Sequence, residues 1–445
     1  MDNLLDIAQH AVNCTLKSGA EWADAYCSRV RHADVGMDNS SILDCHSVRD
    51  HGLGVRAFYR GGMGFATVQD LDEAAVRECG EDAARMARAA HPDPDFRCLP
   101  APSEVPPVPA LFCDRVAGLP AERVVEWCRD AIAEALAVDP GARVSGGAGL
   151  SVGEGALASS TGVALSRPGT KIDLSVEVTV HRGDEVGFYF DFDVARGLDD
   201  FAPAGLGSKA CREALRYLGA RPVTTATMDL VLGPLTAGHF LGAVIGAASA
   251  ESVQRRRSFL AGRAGTVVGP AGLTVLEAPS WPAGLASSSH DAEGVAKQDL
   301  VLIDRGVLTC YLHNSYTAGK AGEVNNAHAV RGGYAGAVGI GLSNLRVEPG
   351  GRSEAELIHD VDDGLYVSYA ELAPDATSGE VSATVDFGFR IRHGEICEPV
   401  KLAMIGGNAL DMLSRLDAVS SDYREEPGSI TPTIRLRAIQ VAGAI

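Results

Sequence analysis

No two cysteines in this sequence form a Cys-x-x-Cys pair, and no histidine is followed by a glutamate. The first absence argues against a zinc ribbon and, with ten cysteines at irregular spacing, against a disulfide framework, so the thiols are expected to be reduced. The second removes the helical metal motif of zinc peptidases, in which two imidazoles and a glutamate share one helix face. Long apolar runs are missing as well: Gly, Ser or a charge interrupts each one before the ~18 residues a membrane span needs. The opening Met1-Asp2-Asn3-Leu4-Leu5-Asp6 has no basic region of the kind that starts a secretory signal. A cytoplasmic protein without membrane contact is expected. Positive charge is in deficit, 39 basic against 58 acidic residues for a net charge of -19, and such a surface repels phosphate backbones. The one dense basic patch, Arg255-Arg256-Arg257, reads as a helix exit or an ion-pair site, and no direct nucleic-acid contact is expected. Neither Gly332-Gly333 nor Gly350-Gly351 follows a strand into a helix with phosphate-loop spacing.

What is present is enough chain for two or three domains, 445 residues of which 46% are hydrophobic. The expected class is α+β, with a mixed helix and sheet domain over 1–90 and a barrel-like antiparallel β domain over 226–445. Between them lie a proline-rich linker, 91–119, and a helix and hairpin segment, 120–225. Helices are predicted over 2–18, 71–90, 120–137 and 204–218 from apolar positions three and four apart. Short strands are predicted over 21–30, 35–38, 41–49 and 52–59. The clearest hairpin pairs 174–180 with 186–194 about His181-Arg182-Gly183-Asp184.

The centre of the last domain is a helix expected over 234–254, started by Pro234 and Thr236, with Leu241, Val244, Ile245 and Ala248 directed inward. Its other face is made of Gly242, Ala243, Gly246 and Ala247. Glycine there costs up to about 1 kcal/mol of helix propensity, which is read as the consequence of close packing against another backbone.

This helix and its exit, Ser252-Val253-Gln254-Arg255, resemble the C-terminal half of the TldD/PmbA family. So do Gly284-Leu285-Ala286-Ser287, Asp291-Ala292-Glu293-Gly294-Val295, Asp304-Arg305-Gly306-Val307-Leu308, the stretch Tyr311 to Ala318, Gly394 to Val400, Gly406 to Leu413 and Ile439 to Gly443. The likeness is closer to the PmbA (TldE) branch. In TldD-type chains this helix carries His-Glu-x-x-x-His, whereas here Gly242, Ala243 and Ala247 occupy the ligand and base positions. The family's C-terminal cysteine ligand is also absent, because Asp422-Tyr423-Arg424-Glu425-Glu426-Pro427 fills that region.

The resemblance implies a non-catalytic subunit, with no metal of its own, that works with a zinc-bearing TldD-like partner on unfolded peptides; a homodimer in isolation is compatible with this. An autonomous hydrolase without the zinc motif and an interaction protein of DNA gyrase are the alternatives. Substrate-channel candidates are His290 and Asp291 in one polar loop, and Asn325, Asn326, His328 and Arg331 in another. Cys310 and His313 are three apart beside a strand, where side chains at odd spacing face opposite ways, so no nucleophile and base pair is expected of them.

Overall fold

The computed structural model describes residues 3–444. Helix α1 (Leu4–Lys17) begins where Asn3 accepts the Leu5 N–H at 2.9 Å. The expected start at residue 2 lies outside the described residues. Two long strands follow, β1 (Trp22–Asp38) and β2 (Ser41–Tyr59), where four short ones were expected, and β3 (Gly62–Val68) completes a meander. The reason is that residues 43–49 are exposed on both faces, so the alternation that marks a half-buried strand is lost while the ribbon continues. Asp72 caps α2 (Glu73–Ala89) by accepting the Ala75 N–H at 2.8 Å.

Residues 91–119 are irregular except for α3 (Asp114–Ala117), as their prolines dictate, but they are tied down. Phe96 stacks on Phe58 at 4.1 Å and Tyr316 donates to Asp93 at 2.9 Å. Beyond α4 (Glu122–Val138), strands β4 (Arg143–Ser159), β5 (Ala164–Arg182) and β6 (Glu185–Ala195) follow. Strand β4 pairs with β1 along its length, so the segments 1–90 and 120–225, expected as separate units, build one six-stranded sheet in the order β3-β2-β1-β4-β5-β6. Helix α5 (Leu206–Arg216) closes this half.

Strand periodicity then decides which residues meet. Ala23, Ala25, Cys27, Ala33, Val35 and Met37 of β1 all point to one face, where α1 and α2 cover one end and α4 and α5 the other. Asp24, Tyr26, Ser28 and Val30 point the opposite way, toward the C-terminal half.

That half is built, among the described residues, on one large mixed sheet with a separate two-stranded pair, Ala329–Val330 with Gly339–Ile340. After β7 (Arg221–Pro222), strand β8 (Ala226–Leu232) lies between Ser429–Ala442, antiparallel to it, and Asp363–Tyr369, parallel to it. The α+β class holds, and among the described residues the strand path from Val307–Leu308 to β7 is open rather than closed into a barrel. No helix among the described residues is long and apolar enough to cross a membrane.

Helix α6 (Pro234–Gly246) packs Phe240, Leu241, Val244 and Ile245 into this core beside Leu230, Leu232, Leu365, Val367, Ile434 and Leu436. Each such side chain contributes roughly 1.5–3 kcal/mol by burial. The expected 234–254 helix is interrupted: α7 (Ala250–Gln254) starts afresh after Ala247 to Ser249. The main chain of Leu312 causes the break, donating to Ala248 O at 3.0 Å and accepting the Ala250 N–H at 2.9 Å, which replaces helical bonds with a strand-like bridge. At the exit, Arg255 pairs with Glu251 at 2.8 Å, an exposed helical ion pair.

Candidate functional site

Among the cavities in the seam between the six-stranded sheet and the C-terminal half, two contain residues singled out in the sequence. One, of about 540 Å³, sits over the outer face of α6. Gly238, His239 and Gly242 line its helical side, and Phe190 and Phe192 of β6, with Tyr369, form an aromatic wall opposite. These aromatics converge because β6 presents residues 188, 190 and 192 to the face away from α5. Arg424 and Glu426 close the rim, paired at 2.8 Å, with the Arg424 guanidinium 4.7 Å from the Phe192 ring centroid. The stretches where the resemblance places metal ligands, 242–247 and 422–427, therefore meet at one cavity.

The small-residue face is open at its glycines, which corrects the expectation of close backbone packing there, while Ala247 is buried in the core. A Cβ at Gly246 would have no neighbour within 4 Å, and one at Gly242 would only touch the Leu345 side chain at 3.7 Å. Gly246→Leu should consequently leave the melting temperature of the isolated chain unchanged or raise it, helix propensity favouring the larger residue by up to about 1 kcal/mol. Gly242→Phe should likewise fold, while filling space above α6. Thermal denaturation of both variants checks this, and a clear drop for Gly246→Leu would restore the close-packing view.

Of the predicted channel residues, His290, Asp291 and His328 are buried and Asn325, Asn326 and Arg331 partly so, and each is engaged in hydrogen bonds. Asp291 accepts the N–H groups of Glu293, Val295 and Ala329, and Arg331 donates to Asp24 at 2.7 Å and to Ala292 O at 3.2 Å. Asn325 and Asn326 organise their own loop: Asn325 donates to Ser315 Oγ at 3.0 Å, and Asn326 accepts the His313 N–H at 2.7 Å. His328 bridges Asn326 and the buried carboxylate of Glu277. His290 is buried beside Arg167 and Lys297, and burial first, then those charges, lower its pKa to about 4, so it is neutral. Burial, followed by the charge of Glu293, raises Asp291 to about 6. Of the six, His290, Asp291 and Arg331 line the second cavity, about 420 Å³, and Asn325, Asn326 and His328 do not. The His313 ring engages Thr317 Oγ1 at 3.2 Å, and no hydrogen bond joins it to Cys310.

A network the sequence reading missed holds the seam together. Arg56 of β2 forks onto Asp24 of β1 and reaches Glu293 of the C-terminal half at 3.0 Å, while Arg331 returns to Asp24. All four side chains are 7% exposed or less, so the charges are desolvated and depend on one another. For Asp24, burial opposes ionisation, but Arg331 and Arg56 outweigh it and hold the carboxyl below its usual range.

The residues present do not fit a metal on α6. Gly242, Ala243 and Ala247 offer no donor atom, and the exposed ring of His239 lies edge-on to Tyr369 at 5.5 Å. Among the described residues no three His, Cys, Asp or Glu side chains group in a way that could hold an ion.

Comparison with known proteins extends this picture along the whole chain. The model of the PmbA/TldA metallopeptidase C-terminal domain matches residues 225–443, that of domain 1 matches 23–87, and that of the central domain matches 114–218. Metalloprotease PmbA of Escherichia coli O157:H7 is 26% identical over 448 residues, covering 98% of this chain and 96% of that protein. A metalloprotease of Methanothermobacter thermautotrophicus is 34% identical over 221 residues, and this match spans about half of each protein, 49% of this chain and 48% of the other. The crystal structure of TldE from Thermococcus kodakarensis shares the fold, with a TM-score of 0.90 at 24% identity over 98% of this chain and 100% of that one. With the models of all three domains matched in order, this protein belongs to the PmbA/TldD metallopeptidase family as a PmbA/TldE-like member.

Proposed function

We propose that this chain is the non-catalytic subunit of a TldD/TldE-type zinc metallopeptidase that processes or degrades unfolded peptides in the cytoplasm. One observation carries the reading: the cavity over α6 is open and aromatic-walled, yet positions 242, 243 and 247 bring no ligand or base to it. A cavity of this size, mostly apolar with a few polar groups at its rim, suits a peptide segment. The partner would supply zinc and a glutamate to activate water. This chain would contribute the wall over α6, which receives side chains of an extended peptide and excludes folded proteins by its dimensions.

Purification of the tagged chain from its native host tests the assembly. A TldD-like chain should co-elute in near-equal amount, and recovery of this chain alone at the concentrations of the cell would overturn the reading.

A further inference from the structure

We propose that the second seam cavity, beneath β1, β4 and β5, is a carboxylate-binding site lined by Lys297, Arg167 and Arg196. The strand faces decide what reaches it: Ser151, Gly153 and Gly155 of β4 and Arg167, Gly169 and Lys171 of β5 share the side turned from the helices. The glycines leave the space that the arginine and lysines border.

The charges around it do not balance. Lys171 pairs with Asp173 at 2.9 Å, Glu154 with Arg29 at 3.6 Å and Arg331 with Asp24 at 2.7 Å, and Asp291 is turned to three backbone N–H groups. Three cations are left with only neutral partners among the described residues. Lys297 Nζ donates to Ser343 Oγ at 2.5 Å and Arg167 to Ser288 Oγ at 2.6 Å. Arg196 donates to the carbonyls of Gly284, Leu285 and Thr170. Burial lowers the pKa of both Arg196 and Lys297; at Arg196 the charge of Arg167 adds to that, while at Lys297 the carboxylates of Glu277 and Asp291 work against it more strongly than Arg167 works with it. Like charges gathered in a partly enclosed site are unfavourable until an anion enters, and a forked guanidinium beside an ammonium matches a planar carboxylate.

Leu111, Leu157, Leu285 and Leu342 give the ligand an apolar surface to lie on, which favours an organic acid over inorganic phosphate. Leu342 lines both cavities, and Ser343, the Lys297 partner, lines the one over α6. A peptide whose terminal carboxylate sat at Lys297 would therefore lead toward α6; only this choice of ligand source rests on the function proposed above.

Titration calorimetry on the purified chain tests the site with trialanine, its C-terminal amide, succinate and inorganic phosphate. Trialanine should bind, the amide about tenfold more weakly or less, and Lys297→Met and Arg167→Met should each weaken trialanine about tenfold with unchanged circular dichroism. Succinate binding with the same dependence on Lys297, without trialanine binding, supports the site and makes its ligand a free organic acid. Equal binding of acid and amide, phosphate bound more tightly than either acid, no binding of any probe, or indifference to both substitutions overturns it.

Discussion

Mixed with a zinc-bearing TldD-like chain from the same organism, this protein is expected to give cleavage of an unstructured peptide at least on the order of 100-fold above its own rate. The size follows from what is missing: a positioned general base alone typically contributes 10²- to 10⁴-fold, and a metal-activated water adds to it. Neither can be assembled on Gly242, Ala243 and Ala247, and the aromatic wall opposite them carries no group that could replace them. Reinstalling the side chains as Gly242→His, Ala243→Glu and Ala247→His should not create a peptidase, because a working site also needs a third ligand and the groups that orient the imidazoles. Peptide cleavage by this chain, by the mixture and by the mixture containing Gly242→Phe gives the comparison, with the last expected to assemble but to cut poorly. Robust, chelator-insensitive cleavage by this chain alone would favour an autonomous enzyme, and Cys310→Ala would then be the decisive variant.

Arg56→Met is expected to cost about 3–5 kcal/mol, the penalty for breaking a buried ion pair from one side. The change leaves Asp24 and Glu293 buried at 2% and 5% exposure, with Arg331 as the remaining cation near Asp24. Arg56→Lys should recover little, since an ammonium cannot fork onto Asp24 and still reach Glu293. The exposed pair Arg115 and Asp199 supplies the control, because solvent screens a surface pair and its loss should barely move the midpoint. Calorimetric unfolding of Arg56→Met and Arg115→Met separates the two cases. Similar midpoints would mean that the seam is held by apolar contact alone.

The centre of the C-terminal half was legible in the sequence because burial of Leu241, Val244 and Ile245 follows from helical spacing alone. The end of α6 was not, for it is set by Leu312, far along the chain, whose main chain no local pattern reveals. The face of Gly238, Gly242 and Gly246 shows the limit of a propensity argument: it registers that side chains are missing but not whether protein or a cavity takes their place. At the site, His290, Asp291 and Arg331, expected to line a substrate channel, border the second cavity, where Asp291 holds backbone of its own half and Arg331 spans the seam to Asp24. Arg56 carried a usable signal, being the one charge within the run Gly52 to Tyr59, whose residues 52–58 are all buried. Asp24, Lys297 and Glu277 carried none, because their partners lie far along the chain.

The central claim, that this chain shapes the chamber while its partner supplies the metal, is tested most directly by metal analysis of the reconstituted assembly after its two chains are separated without denaturation. The account predicts about one zinc per pair, all of it retained by the partner. Zinc retained by this chain and lost in its His239→Ala or His290→Ala variant would contradict it.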